Sequence, residues 1–113
     1  MKTYQEIFDI VYKHLLTQNV KSQGKYNDCR YRGDNGLKCA LGILIPDSKY
    51  EPKYETKLVR TLVENNIIED VSLASVAFLY SLQKIHDDVA VTAWPFELKR
   101  LANQYNLTIP TII

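Results

Sequence analysis

The chain has 113 residues, of which 46% are hydrophobic and 24% charged, with a formal net charge of +1. This length suits one domain over residues 1–113, and this composition is typical of a globular protein. No apolar run approaches the ~20 residues that span a bilayer, and the N-terminus lacks the apolar core of a secretion signal. The near-neutral charge disfavours binding of nucleic acid by the whole surface. We therefore expect a cytoplasmic protein, and in that compartment the two cysteines are expected to be thiols.

The first predicted element is a helix over residues 4–17. Thr3, followed three residues later by Glu6, forms a capping box at its start, and apolar residues then recur at helical spacing. Residues 18–27 are polar and contain turn formers, which predicts a loop.

A small β-hairpin is predicted over residues 28–38. Cys29 and Tyr31 alternate there with Arg30 and Arg32, which is the period of a strand with one buried face. The glycine-rich stretch after Arg32 favours a tight reversal of the chain. The arginines would then lie on the open face of the hairpin.

The apolar run that begins at Cys39 is interpreted as a short buried helix ended by Pro46. A thiol in the first turn of a helix, next to Lys38, would be stabilised as a thiolate. The alternative is that Cys39 is a small buried packing residue. Both interpretations stay open at this stage.

The second half of the chain predicts three further helical segments. The first covers residues 56–66; the second, over residues 73–89, is apolar on several faces and is expected at the centre of the domain. The third begins at Trp94, because the proline that follows suits a first helical turn. Residues 107–113 form an apolar extended tail. The predicted fold class is α+β, mainly α, with about four to five helices packed around helix 73–89 and one small β-hairpin.

His86 lies near the end of the predicted central helix, with Asp87 and Asp88 beside it. The helix dipole and the two carboxylates would favour a charged imidazole. One interpretation is a capping and electrostatic role, and the other is a general base. A metal held by Cys29, Cys39 and His86 would lack a fourth ligand, so no metal or other cofactor is predicted.

The chain resembles a family of small proteins of unassigned reaction that are encoded by tailed phages and by phage-derived islands in bacterial genomes. The residues that carry the likeness are Tyr31-Arg32-Gly33, Gly36-Leu37-Lys38-Cys39-Ala40, Gly42, Leu44-Ile45-Pro46-Asp47, Leu82-Gln83, His86-Asp87 and Trp94. The resemblance spans most of the chain. It implies a phage-derived genomic context, with the host cell cytoplasm as the location, and it does not imply a mechanism.

Two functions are compatible with these residues. The first is a phage-type accessory protein for host takeover or defence evasion, which binds a host protein or a small phosphorylated or nucleotide ligand. Its predicted ligand-binding residues are Arg30, Tyr31, Arg32, Gly33, Gly36, Lys38 and Trp94. The second is a small thiol hydrolase or transferase, with Cys39 as nucleophile, His86 as base and Asp87 orienting the imidazole.

Overall fold

The computed structural model describes residues 1–26 and 28–112. Asn27 and Ile113, which belong to the expected loop and the expected tail, lie outside the described residues. Four α-helices form the framework of the described part: α1 (Tyr4–Gln18), α2 (Val59–Glu64), α3 (Val76–Asp88) and α4 (Trp94–Gln104). Short 3-10 helices occupy the connections at Asp34–Gly36, Gly42–Leu44, Pro52–Thr56, Leu73–Ser75 and Val91–Ala93. The prediction of a mainly helical chain is confirmed.

Helix α1 begins and ends where the local signals place it. The Thr3 hydroxyl accepts a hydrogen bond from the Glu6 amide at 3.1 Å, and the Glu6 carboxylate accepts one from the Thr3 amide at 2.9 Å. Asn19 ends the helix in the left-handed region, with φ 54°. The buried face of the helix consists of Ile7, Phe8, Val11, Tyr12 and Leu15.

Helix α3 packs against α1, α2 and α4 and is the centre of the core. Its buried apolar residues are Phe78, Leu79, Leu82 and Ile85. It is shorter than predicted, because the chain enters through the 3-10 turn Leu73–Ser75. Its outer side is open to solvent, and Tyr80 on that side is 62% exposed.

The predicted β-hairpin over residues 28–38 is wrong, since the described residues form only two isolated bridges there, Gln23 with Cys29 and Arg32 with Lys38. A hairpin needs consecutive amides that pair with one neighbouring strand. Here the amides of Tyr31 and Arg32 donate instead to the carboxylate of Glu55, at 2.9 and 3.0 Å. A side chain therefore replaces the strand partner, and no ladder forms.

The short helix predicted to begin at Cys39 is also replaced by tighter turns. Cys39 donates its amide to the Tyr31 carbonyl at 3.2 Å. Its own carbonyl accepts the Ile43 amide at 3.3 Å, and the 3-10 turn Gly42–Leu44 follows instead of a continuous helix. Gly42 is required at this crossing, because a Cβ atom there would overlap the carbonyl oxygen of Tyr31. Cys39 thus lacks the helix N-terminus on which its predicted thiolate depends.

Candidate functional site

The buried imidazole of His86 connects α3 to the loop that follows α1. His86 is 0% exposed, and its Nε2 accepts the amide hydrogen of Ser22 at 2.9 Å. Because an amide only donates, Nε2 carries no proton, and the imidazole is neutral with its proton on Nδ1. Nδ1 donates to Asp87 Oδ1 at 2.7 Å, and the indole of Trp94 stacks on the imidazole with centroids 5.5 Å apart. Both nitrogens of His86 are therefore engaged.

Asp87 extends this network to two other segments of the chain. Gln83 Nε2 donates to Asp87 Oδ1 at 2.7 Å, while Gln83 Oε1 accepts the amide of Leu41 at 3.2 Å. The ammonium group of Lys21 donates to the Asp87 carbonyl at 3.0 Å. The end of α3 is thus a junction between the segments around residues 21 and 41.

The predicted nucleophile, Cys39, lies in the core with 0% exposure. Burial raises the pKa of its thiol to about 12, although the sulfur accepts the Gly42 amide at 3.2 Å. A thiol with this pKa is almost entirely protonated at neutral pH. The structure therefore favours the packing interpretation of Cys39.

The thiol that the fold brings to His86 and Asp87 is Cys29. The Cys29 sulfur, a His86 ring nitrogen and an Asp87 carboxylate oxygen all lie within 4.8 Å of one another. Partial burial, followed by the charge and hydrogen bond of Asp87, raises the pKa of the exposed Cys29 thiol. Since neither nitrogen of His86 is free to take the thiol proton, this cluster does not form an activated Cys–His pair.

The same cluster offers sulfur, nitrogen and oxygen donors, so we tested whether it fits a metal ion. A metal on His86 Nδ1 would require the ring proton to move to Nε2. Nε2 already faces the Ser22 amide hydrogen, and two N–H groups would then point at each other. The donor set does not fit a metal ion in this arrangement.

Arg32 is held in place by the protein itself. Its guanidinium donates to Asp47 Oδ1 at 2.7 Å and to the Ile45 carbonyl at 2.6 Å, and it lies 5.1 Å above the centre of the Tyr50 ring. The hydrogen bond from Arg32 lowers the pKa of the Asp47 carboxyl, and Lys38 lies 3.5 Å from the same oxygen. Arg32 and Lys38 therefore share one carboxylate within the fold.

The other predicted ligand residues occupy varied surroundings. Arg30 lies 3.7 Å from Asp28 and 4.0 Å from Glu55, in long ion pairs. Gly33 packs so closely on the backbone of Gln23 that a Cβ atom would lie 2.7 Å from its amide nitrogen, whereas Gly36 is exposed with φ 75°. Trp94 is 0% exposed and donates to the Val89 carbonyl, so neither face of its ring is open to a ligand.

Glu55 is the residue that the sequence patterns did not reveal. Its side chain is only 8% exposed, and it accepts the amides of Tyr31 and Arg32 together with the hydroxyl of Tyr50. It therefore holds the motif that carries the phage resemblance against the 3-10 helix Pro52–Thr56. A glutamate in a polar, proline-containing stretch gives no local signal of such a role.

A cleft of about 390 Å³, which we call the tyrosine cleft, lies between α3 and the segment that precedes α2. Its lining residues are Tyr31, Lys57, Leu58, Val59, Tyr80, Gln83, Lys84, Asp87 and Asp88. Tyr31 forms part of the wall and donates its hydroxyl to the Lys57 carbonyl at 2.9 Å. Burial raises the pKa of Tyr31 to about 12, so the hydroxyl remains a donor at neutral pH.

No family model, no curated protein and no solved structure matches this chain. The resemblance to phage-encoded proteins therefore depends on the motif residues alone. None of the helices in the described part of the chain combines the length and the apolar character that a bilayer crossing requires.

Two of the site residues predicted from the sequence, Tyr31 and Asp87, line the tyrosine cleft. The other notable members were not singled out as site residues. Tyr80 lies within the segment predicted as the central helix, yet it is 62% exposed. Leu58 lies within the helical segment predicted over residues 56–66, yet it is 73% exposed. Lys57 is an isolated lysine in the sequence, so only the fold shows that it faces α3.

Proposed function

We propose that this chain is a binding protein that holds a small phosphorylated, ring-bearing ligand, such as a nucleotide, in the tyrosine cleft. The observation that carries the proposal is one concave site that combines an exposed aromatic ring, Tyr80, with two lysines that form no ion pair with any described residue. Volumes of 300–1,000 Å³ are typical of small-molecule sites, and this cleft has about 390 Å³.

The lysines of the cleft differ from the basic residues that the sequence singled out. In the described part of the chain, Lys57 and Lys84 form no ion pair, whereas Arg32 and Lys38 share the carboxylate of Asp47. An ammonium group without a partner remains free to donate charge-assisted hydrogen bonds to a phosphate. We therefore assign anion binding to Lys57 and Lys84 instead of Arg32 and Lys38, which the sequence predicted.

The remaining groups of the cleft suit the rest of a nucleotide. Tyr80 presents a ring face on which a base can stack. Asp88, which has no ion pair among the described residues, can accept hydrogen bonds from ribose hydroxyls. Gln83 is not free for this purpose, because both ends of its amide are engaged by Leu41 and Asp87.

In this proposal the activity belongs to a phage-type accessory protein that acts in the host cell, as the motif resemblance suggests. A host protein is the other partner class that the resemblance suggests. The concave shape and the paired lysines favour the small ligand. The thiol-enzyme alternative has no comparable support, because Cys39 is fully buried and both nitrogens of His86 are engaged.

The test is a titration with AMP, adenosine and inorganic phosphate, followed by backbone amide shifts in NMR and by calorimetry. We expect AMP to move the amides of the tyrosine cleft and to bind more tightly than either fragment. Tyr80→Ala is expected to weaken AMP binding by roughly 5- to 150-fold, the value of one stacked base. Lys57→Gln is expected to weaken it at least about tenfold through the lost phosphate contact.

Two matched variants serve as controls, since Tyr26 is an exposed tyrosine and Lys99 an exposed lysine, both outside the cleft. Tyr26→Ala and Lys99→Gln should bind AMP like the unaltered protein. The proposal fails if AMP and the other three nucleoside 5′-monophosphates leave the cleft amides unmoved at millimolar concentration. It also fails if the control variants lose as much affinity as Tyr80→Ala and Lys57→Gln.

A further inference from the structure

The contact between His86 and Ser22 depends on the charge of the imidazole. Ser22 is 0% exposed, and its amide donates to Nε2 of the buried His86 at 2.9 Å. Nε2 accepts this bond only while it carries no proton, because a protonated imidazole has an N–H group on both nitrogens. Protonation of Nε2 would therefore point two N–H groups at each other and leave the Ser22 amide without an acceptor.

Ser22 is also the residue that holds together the segment following α1. Its hydroxyl donates to the Arg30 carbonyl at 2.7 Å, and its own carbonyl accepts the Arg30 amide at 3.0 Å. The carbonyl of the next residue, Gln23, accepts the Asp34 amide at 3.0 Å. The bond from the Ser22 amide to His86 therefore joins this network of backbone contacts to the end of α3.

Titratable groups face His86 from α1, from α3 itself and from the segment following α1. These groups are His14, Asp87, Lys21 and Cys29. The fourth element packed on the ring, α4, contributes the indole of Trp94, which does not titrate. Burial is the leading cause of the lowered pKa of His14, and the charge of His86 adds to it.

Among these groups, Asp87 has the strongest influence on the imidazole. Its carboxylate accepts the Nδ1 proton directly at 2.7 Å, whereas the Lys21 ammonium group bonds to the Asp87 carbonyl and not to the ring. Interactions between charges weaken with distance, so the carboxylate in contact with the ring outweighs the more remote cations. A buried charge also needs a partner, and Asp87 provides it. The imidazole can therefore take up a proton and still keep its bond within α3.

We infer that His86 is a pH-operated latch, which holds the segment following α1 on the end of α3 while the imidazole is neutral and releases the Ser22 amide when the imidazole is protonated. Protonation breaks the bond to Ser22 and strengthens the bond to Asp87, so the release occurs as the pH falls. Asp87 also lines the tyrosine cleft, but the latch needs no ligand and is measured in the protein alone.

The test is amide hydrogen exchange by NMR on the full chain between pH 8 and pH 5, the interval in which histidine changes its charge. Protection is expressed relative to an unstructured peptide at the same pH. The protection of Ser22 is expected to fall at least about fivefold as the pH decreases, because its buried amide loses its acceptor. The amides of Val11 in α1 and Leu82 in α3 should keep their protection. Nitrogen shifts of the imidazole should show His86 changing from the neutral Nδ1–H form to the imidazolium together with this loss.

Substitutions separate the latch from a contact that is only structural. In His86→Gln a side-chain carbonyl that does not titrate can accept the Ser22 amide, so the protection of Ser22 should no longer depend on pH. His14→Gln replaces the other histidine and should leave the pH response of Ser22 unchanged. In Asp87→Asn the imidazolium loses its carboxylate, so half-release of Ser22 should occur at a lower pH, whereas Asp88→Asn should not move it.

Several results would overturn the inference. These are equal protection of Ser22 at pH 8 and pH 5, a parallel loss at the two reference amides, and an Nε2–H form of His86 at pH 8. Loss of the response in His14→Gln would do the same. If His86→Gln does not fold, Asp87→Asn keeps the test decisive, because half-release at an unchanged or higher pH would also contradict the latch.

Discussion

The different environments of Cys29 and Cys39 determine which thiol is open to chemistry. Cys39 is enclosed by the core, while Cys29 is exposed and hydrogen-bonded to Asp87. The nucleophile interpretation of Cys39, one of the two that the sequence left open, depended on the N-terminus of a continuous helix that does not form. The exposed thiol, Cys29, is therefore not a stabilised thiolate, because partial burial and the neighbouring Asp87 carboxylate raise its pKa.

Iodoacetamide labelling at pH 7.5 should distinguish the two thiols. We expect Cys29 to be modified and Cys39 to react only after unfolding in urea, as read by peptide mass spectrometry. In Asp87→Asn, Cys29 should be labelled faster than in the unaltered protein, because the Asp87 carboxylate adds to the effect of burial in raising the Cys29 pKa. Asp88→Asn is the matched control and should leave the rate unchanged. Labelling of folded Cys39 at the rate of Cys29 would contradict this assignment.

Among the secondary-structure elements, the carboxylate of Glu55 accepts the amide hydrogen bonds that a neighbouring strand was expected to accept. The segment around residues 29–38 has the alternation of a β-strand, but its amides at Tyr31 and Arg32 bond to Glu55 of the 3-10 helix Pro52–Thr56. Tyr31 and Glu55 are 24 residues apart in the sequence. A pattern that reads only neighbouring residues cannot distinguish this contact from a hairpin.

Replacement of Glu55 by alanine should weaken this junction strongly. It leaves the part-buried amides of Tyr31 and Arg32 without their acceptor, so we expect a loss of about 2–4 kcal/mol in the free energy of unfolding. Glu51→Ala, an exposed glutamate in the adjacent turn, should cost less than about 1 kcal/mol. Urea unfolding followed by circular dichroism measures both. Equal losses in the two variants would show that Glu55 does not hold the motif.

At the scale of the whole molecule, several hydroxyl and thiol protons are held more tightly in the fold than in an unfolded chain. Burial is the leading cause of the raised pKa of Cys39, Tyr31 and Tyr50, each to about 12. An acid with a raised folded pKa stabilises the fold fully below its unfolded pKa. That stabilisation is lost as the pH rises toward the folded value.

The free energy of unfolding should therefore decline from the ordinary pKa of a thiol, 9.0, toward the raised pKa of Cys39, about 12. Cys39→Ala removes one of the responsible protons. Its stability is expected to fall less steeply than that of the unaltered protein, by at most about 1.4 kcal/mol per pH unit. Urea unfolding at pH 8, 9, 10 and 10.5 under reducing conditions compares the slopes. Parallel slopes would show that the Cys39 thiol does not contribute.

The sequence by itself determined the features that depend on residues within about one turn of each other. These are the capping box of Thr3 and Glu6, the helix of α1, the start of α4 at Trp94, and the presence of a helix at α3. Their physical basis is local, because capping bonds and helical periodicity act between residues three or four positions apart.

Only the tertiary structure decided how the site is assembled. It placed Cys29 beside His86 and Asp87, gave the Ser22 amide to His86 across 64 residues of sequence, and turned Tyr80 outward. The Ser22–His86 contact depends on which buried donors find acceptors once the helices pack, because burial makes an unpaired group costly. The exposure of Tyr80 depends on which faces of α3 are covered by α1, α2 and α4. Both conditions are set by residues far apart in the chain, so no local pattern contains them.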